Sequence, residues 1–289
     1  MTSDQQVALS DGRRIGFAEY GPPNGTPVFY FHGWPGSRIE PRAVAEAGPD
    51  LGVRIIAVDR PGYGLSDFQA NRRILDWPKD IGELADSLRL ERFSVLGVSG
   101  GGPYAAVCAA KMPERVAVAG MVCSVGPLDG PGATRGMVGF NRRLLFLART
   151  VPALARLLAG PVVRVLWRYE KDVLPLRVEA HLPETDRRTL ARPELRRTLL
   201  ANWQEAFRAG TRGMVWDGCL YAWPWGFELE EIRVPVQLWH GDLDVNVPPA
   251  MGRALAGRIR NCRSRFYADE GHFSLPFGRI GEILAALVG

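Results

Sequence analysis

The chemistry this chain could perform is concentrated around one serine. Residues 93–98 form a short apolar run that ends in Gly97-Val98-Ser99-Gly100-Gly101, a Gly-x-Ser-x-Gly turn. A serine at a sharp strand-to-helix turn has its hydroxyl lifted clear of the backbone. At the N-terminus of the following helix, developing negative charge is stabilised. Such a turn demands glycine neighbours, because side chains there would collide with the crossing backbone. The context fits: the run before the turn predicts a buried strand and residues 103–111 predict a helix. Pro103 falls in the first helical turn, where its missing N–H costs nothing. Ser99 is the candidate nucleophile.

A serine hydroxyl needs a base to take its proton. The chain has four histidines. His32 follows an early strand, and His181 sits in a helical stretch. His240 ends a strand beside Asp242 and Asp244, and His272 follows a later strand in Asp269-Glu270-Gly271-His272. The base must in turn be oriented by a carboxylate. His240-Gly241-Asp242-Leu243-Asp244-Val245-Asn246-Val247-Pro248 offers two.

The elements that must position these groups follow from period and punctuation. Short β-branched runs at 14–20, 28–32, 54–59, 93–98 and 116–123 predict strands, several of them apolar on both faces as in a parallel sheet. Between them Ile81, Leu84, Ala85 and Leu88 have helical spacing, so 80–90 predicts a helix. The first runs lack an intervening helix, which predicts an antiparallel leading edge. From Pro127 the pattern turns helical. Two helices are expected over 136–170, punctuated by Pro152 and Pro161, with more helix over 184–208 and a close near Tyr221-Ala222-Trp223-Pro224-Trp225-Gly226-Phe227. Strand and helix then alternate again, with strands at 236–239 and 264–268 and helices at 250–259 and 280–288. The expected class is α/β, a mostly parallel sheet flanked by helices, with 1–127 and 229–289 forming the core and 128–228 an inserted helical lid.

With these residues and elements in order, the chain resembles the α/β-hydrolase fold superfamily, over nearly its whole length outside the lid. The resemblance implies the chain order Ser, Asp, His, which selects His272 as base. It places the acid three residues before a Val-Pro, which favours Asp244 and leaves Asp242 to shape the turn. The oxyanion hole needs two N–H donors, one from Gly100 after the nucleophile. The second is assigned to Trp34 by likeness of His32-Gly33-Trp34-Pro35-Gly36 to the family's His-Gly-x-Pro-Gly loop, and Pro35 has no N–H to offer. His32 is expected to hold that loop, and Asp59-Arg60-Pro61-Gly62-Tyr63-Gly64 resembles a structural loop beside the site. Members with an aspartate nucleophile are excluded by Ser99. The implied function is a serine hydrolase that cleaves a carboxylic ester or related acyl bond of a small, largely hydrophobic substrate. Three rivals stand beside it. One is a proline-iminopeptidase-like enzyme, for which Glu170, Asp172 and Glu205 are the available carboxylates. The others are a cofactor-free lyase or C–C hydrolase and a non-catalytic ligand receptor. Trp223 and Trp225 are candidates for the pocket wall, with core packing as the alternative.

Composition bounds the rest. The 289 residues are 46% apolar and 23% charged, as in an ordinary globular protein. No apolar stretch approaches a membrane span, no signal-peptide pattern opens the chain, and the four cysteines have neither metal nor short disulfide spacing. Reduced thiols and a cytoplasmic location are expected. No His/Cys cluster suggests a metal, and the glycines after Ser99 lack the Gly-Lys-Ser/Thr ending of a phosphate loop, so no cofactor is expected. The net charge of +5 is concentrated in 128–228, which carries 15 Arg and 1 Lys against 10 Asp and Glu. No nucleic-acid motif accompanies it, and a solvated helical face explains it. A small-molecule substrate is the expected partner; the oligomeric state is left open.

Overall fold

Residues 4–43, 51–128, 133–166 and 181–288 are described by a computed structural model. Its centre is one eight-stranded sheet, in the order β1-β2-β4-β3-β5-β6-β7-β8. The strands are β1 (Gln5–Ala8), β2 (Arg14–Tyr20), β3 (Thr26–Phe31), β4 (Val53–Val58), β5 (Phe93–Val98), β6 (Val116–Val122), β7 (Val236–Gly241) and β8 (Cys262–Tyr267). β1 and β2 are antiparallel to their neighbours, and every pairing from β4 to β8 is parallel. The expected mostly parallel sheet with an antiparallel leading edge is present. β1 has no counterpart among the expected strands because it is an edge strand of four residues with alternating exposure and little apolar content.

The parallel strands are apolar on both faces because both are covered. Phe29, Phe31, Ile56, Val58 and Val95 point into a core shared with helices α1 (Trp77–Ser87) and α2 (Gly102–Lys111). Their neighbours Val28, Tyr30, Ile55, Ala57 and Leu96 point the other way, onto Ile283, Leu284 and Leu287 near the chain's end. The period of two across each strand therefore divides the apolar residues between two layers. α1 starts three residues before its expected 80–90 because Pro78 is accommodated in its first turn, and it ends at a left-handed Arg89.

Between β6 and β7 the chain inserts α3 (Gly139–Thr150), α4 (Pro152–Leu166), α5 (Glu184–Leu190), α6 (Pro193–Ala206) and α7 (Arg212–Ala222). The end of the expected helix over 136–170 falls outside the described residues. Pro152 does open a new helix, but Pro161 lies inside α4, where the carbonyl it frees belongs to the exposed Leu157 and can be solvated. Pro193 splits the expected 184–208 stretch into α5 and α6. α7 had no signal in the periodicity. It is buried on nearly every side and includes two glycines, so no polar stripe marks it. After β7 come α8 (Pro249–Arg258), α9 (Ser274–Gly278) and α10 (Ile280–Val288). The four cysteines are free thiols, and among the described residues no helix is long and apolar enough to cross a membrane.

Strand order sets the location of the chemistry. The order reverses direction between β3 and β5, which pair Phe31 with Gly97. Loops leaving the carboxyl ends of the two strands at such a switch point diverge and open a crevice. Here those loops begin at His32 and Ser99.

The glycines at this crossing give a direct stability test. A Cβ at Gly101 would run into the Phe31 carbonyl, whereas a Cβ at the exposed Gly257 in α8 would have nothing within 4 Å. Gly101→Ala is expected to lose about 2 kcal/mol or more of unfolding free energy, and Gly257→Ala to gain about 0.5–1 kcal/mol. Chemical denaturation of both variants checks the contrast.

Candidate functional site

Ser99 has φ +54°, the left-handed region that a non-glycine residue enters only under strain. The turn is enclosed by close packing of backbone and side chain. A Cβ at Gly97 would meet the Gly101 backbone, and one at Gly102 would meet Ser124. The Ser99 carbonyl accepts the Val125 N–H at 3.1 Å, which ties the turn to the exit of β6. The serine is fixed at the head of α2, as the sequence context requires.

His272 Nδ1 lies 2.7 Å from Asp244 Oδ2. Because the carboxylate only accepts, Nδ1 carries the proton and Nε2 is left as the basic nitrogen. Asp244 Oδ1 accepts the N–H groups of Asn246 and Val247 at 2.9 and 2.8 Å, so its second oxygen is pinned by its own turn. Burial disfavours the His272 cation, but the Asp244 carboxylate outweighs it and raises the imidazole above its ordinary value. Asp242 faces outward and pairs with Arg253 at 2.6 Å. Cys123, at the end of β6, completes a group in which its sulfur and the Asp244 and His272 side-chain atoms lie within 4.8 Å of one another. That group is two residues from Val125, so β6 links the imidazole pair to Ser99. The donor atoms are committed: Asp244 to the imidazole and two amides, and the Cys123 thiol, which burial keeps protonated, to the Gly271 carbonyl.

The remaining histidines are placed elsewhere. His32 is buried, donates from Nδ1 to the Gly33 carbonyl at 2.8 Å and accepts the Arg60 N–H at Nε2. Burial and the Arg60 cation hold it well below its ordinary value, hence neutral, and it serves the loop. His240 donates to the Val247 carbonyl at 2.9 Å and is also held neutral by burial. His181 is exposed.

The loop after β3 is gripped residue by residue. Gly33 N–H is spent on Glu40, at 3.0 and 3.1 Å to its two oxygens, and the Gly33 carbonyl accepts Arg60 Nη2 at 2.9 Å. The next N–H is that of Trp34. A Cβ at Gly100 would collide with Trp34 Cβ and with the Tyr221 hydroxyl, so the backbones of Trp34 and Gly100 stand side by side. The Trp34 indole donates to the Met214 carbonyl at 2.8 Å.

Beneath both loops lies a buried polar cluster that the sequence alone does not signal. Asp217 on α7 accepts from Arg60 at 2.8 Å, from Arg72, and from the hydroxyls of Tyr104 (2.6 Å) and Tyr63 (3.0 Å), with the Tyr221 hydroxyl oxygen 3.2 Å away. Burial opposes its charge, yet the two guanidiniums hold it well below the usual carboxylate range. Arg60 also binds the His32 carbonyl, and Tyr221 donates to the Gly100 carbonyl at 2.9 Å. One carboxylate thus anchors the two segments that carry Trp34 and Gly100. Arg60 was legible only as part of a loop resembling a structural one, and Asp217 lay in a helix without a periodic pattern.

Of the two pocket-wall candidates, Trp225 is buried in the main core with its ring 6.0 Å from that of Phe227, the packing alternative. Trp223 is partly exposed and stands edge-on to Trp216 at 6.1 Å. A cavity of about 580 Å³ opens instead along α3 and the end of α7, lined by Leu128, Leu145, Phe146, Leu147 and Ala222 with Arg142, Arg143 and Arg149.

The chain is similar to known proteins in sequence and in fold. A family model described as the alpha/beta hydrolase fold matches residues 26–278. A non-heme chloroperoxidase of Streptomyces lividans is 36% identical over 124 residues, covering 42% of this chain and 45% of that protein. A protein of Bacillus subtilis (strain 168), provisionally named 2-succinyl-6-hydroxy-2,4-cyclohexadiene-1-carboxylate synthase, is 26% identical over 243 residues, 82% of this chain and 81% of its own. In fold, a thermophilic esterase from Thermogutta terrifontis superposes with a TM-score of 0.71 at 22% identity, over 100% of both chains.

Asp217→Asn leaves Arg60 and Arg72 buried with no counter-charge. Removing one partner of a buried ion pair costs about 3–5 kcal/mol, and the unfolding free energy from urea titration is expected to fall by that amount. A loss under about 1 kcal/mol, the scale of an exposed ion pair, would show that the cluster is not an anchor.

Proposed function

The chain belongs to the alpha/beta hydrolase fold family, and on that premise we propose that it is a serine hydrolase that cleaves a carboxylic ester or related acyl bond through an acyl-enzyme. Ser99 attacks the acyl carbonyl, and His272 Nε2 takes its proton and later delivers it to the leaving group. Asp244 keeps the imidazole in the Nδ1–H form, and the Trp34 and Gly100 N–H groups receive the oxyanion. Water then attacks the acyl carbonyl with His272 again as base. The observation that carries the reading is the strained Ser99 at the head of α2, because a folded chain retains such a backbone cost where the turn has a use.

In this reading residues 128–228 act as a lid over the site. The substrate is small and largely hydrophobic, and the three arginines of the cavity along α3, whose lining includes none of Ser99, His272, Trp34 and Gly100, would draw an anionic group toward that face. The aminopeptidase alternative is weakened at Glu205, whose carboxylate is bonded to Arg38 (2.6 Å) and Arg208 (2.8 Å) instead of being free for a substrate ammonium. Glu170 and Asp172 lie outside the described residues. The C–C lyase alternative draws on the relative from Bacillus subtilis, which is named as a carboxylate synthase.

A fluorophosphonate probe is expected to label Ser99 alone, and Ser99→Ala to lower turnover of p-nitrophenyl esters at least ~10³-fold with folding intact. Asp244→Asn should cost orders of magnitude in kcat and Asp242→Asn far less; the reverse ranking would move the acid to Asp242. No labelling and no turnover across esters and aminoacyl anilides would remove the hydrolase reading.

The arginines give an independent measurement. For neutral and carboxylate-bearing esters of equal size, kcat/KM is expected to favour the anionic ester at low salt, with the preference fading as salt screens it. Equal, salt-insensitive values would show that Arg142, Arg143 and Arg149 only solvate the helix.

A further inference from the structure

The loop that carries His272 is held from outside the sheet core. Asp186, on α5 in the inserted segment, is fully buried, and its carboxylate accepts three consecutive backbone N–H groups. Oδ2 accepts from His272 at 3.0 Å, and Oδ1 from Phe273 at 2.9 Å and Ser274 at 2.8 Å. The preceding N–H, of Gly271, is taken by the Ser274 hydroxyl at 2.8 Å. A side chain at position 271 would strike the Asp186 carboxylate, so the glycine there permits the approach. Charge-assisted bonds of this kind are the stronger ones, and three of them converge on one buried side chain.

The Asp186 carboxyl group is therefore bonded to the backbone of the histidine itself. The other groups facing His272 are Asp244, bonded to its ring, Glu40 from the segment after β3, Cys123 from the end of β6 and His240 from β7. Burial keeps the Cys123 thiol and the His240 imidazole uncharged and pushes the Glu40 carboxyl upward. Asp186 differs from all of them in origin. It comes from the segment between β6 and β7, which is separate in sequence from every strand that carries the site.

We propose that Asp186 is a positioning residue, through which the inserted helices hold the His272 loop in register with Asp244 and set a second negative charge beside the imidazole. The proposal rests on His272 acting as the base for Ser99. It makes the strength and the placement of the base depend on α5 being seated against α9. Removing the charge destabilises the imidazolium, so the midpoint of His272 falls. Because the neutral imidazole is the active form, the acid limb of kcat/KM then moves to lower pH, and the variant is closest to wild type in acid and furthest from it above neutrality.

The test uses the full chain as Asp186→Asn, which removes the charge and one acceptor, and Asp186→Ser, which keeps a neutral acceptor. In both, His272 is titrated by NMR of the labelled imidazole, and p-nitrophenyl butyrate turnover is measured from about pH 5 to 9, the range in which an imidazole changes charge. The expected result is a His272 midpoint lowered by about half a unit or more, kcat reduced about tenfold and KM little changed. An unshifted midpoint and wild-type kcat per folded molecule, with only a lower unfolding temperature, would make Asp186 a purely structural residue and overturn the proposal. Should both variants fail to fold, amide exchange in the wild type decides. The His272, Phe273 and Ser274 amides are expected to be protected, and exchange at the rate of an open loop would overturn the proposal. If the wild type neither hydrolyses esters nor reacts with a fluorophosphonate, the hydrolase reading fails by itself, while the titration and the exchange data still report on Asp186.

Discussion

The contact on which the site depends is a carboxylate in the protein's interior. Asp217 is fully buried and would be driven to its neutral form were it not between Arg60 and Arg72. The guanidiniums, themselves buried, would be strongly destabilising without it. Arg60 is also stacked over the rings of Tyr104 and Tyr63, at 4.8 and 5.2 Å, which adds cation–π attraction in a low-dielectric setting. The two guanidiniums share this one carboxylate, and the tyrosine hydroxyls and loop carbonyls around them take most of their remaining donors. Its position matters as much as its charge. Arg60 leaves the cluster to hold the loop after β3, and Tyr221 leaves it to hold the turn at Ser99.

The inserted helices are thus built into the core. Asn202 on α6 receives the Ser37 N–H at 2.7 Å, and Glu205 joins Asp59 on the buried Arg38. Together with Asp217 and Asp186, these contacts place polar side chains of α5, α6 and α7 against the loops that follow β3, β4 and β8. Deleting one partner of such a bond leaves the other buried and unsatisfied, which is the costly event. α3 and α4 are attached differently. The described polar links of α3 to the loop that carries Asp244 are at its start, Val138 N–H to the Val245 carbonyl and Asn141 to Asn246. Most of the large apolar side chains left exposed, Phe140, Phe146, Val151, Leu154, Leu157 and Leu158, lie along this pair.

Strain and support divide along the same line. Ser99 is forced into a left-handed backbone by the crossing of β5 into α2, and the glycines around it allow Gly101 to pass under the Phe31 carbonyl. The energy for this comes from the apolar layers on either side of the sheet, where the period-two alternation of β3, β4 and β5 buries both faces. The sheet thereby tolerates a costly turn at the point where its strand order reverses.

What the sequence determined by itself is what local physics encodes. The alternation of buried strands and amphipathic helices, the Gly-x-Ser-x-Gly turn, and the Asp244 and His272 loops after β7 and β8 are each written in a few adjacent residues whose conformation depends on near neighbours. Resemblance to a family then chose Asp244 over Asp242, and the structure shows Asp244 on the imidazole and Asp242 on a surface arginine. Tertiary structure alone decided the polar supports. Asp217, Asp186 and Asn202 sit 145, 86 and 165 residues from the Arg72, His272 and Ser37 partners that satisfy them. Nothing in their neighbourhoods distinguishes them from the solvated charges of the same segment. α7 was invisible for a related reason, since a helix buried on nearly every side has no polar stripe to produce a period. A charge is legible in sequence when its partner is a turn away; when the partner is brought by the fold, the need for it appears only once both have been taken out of water.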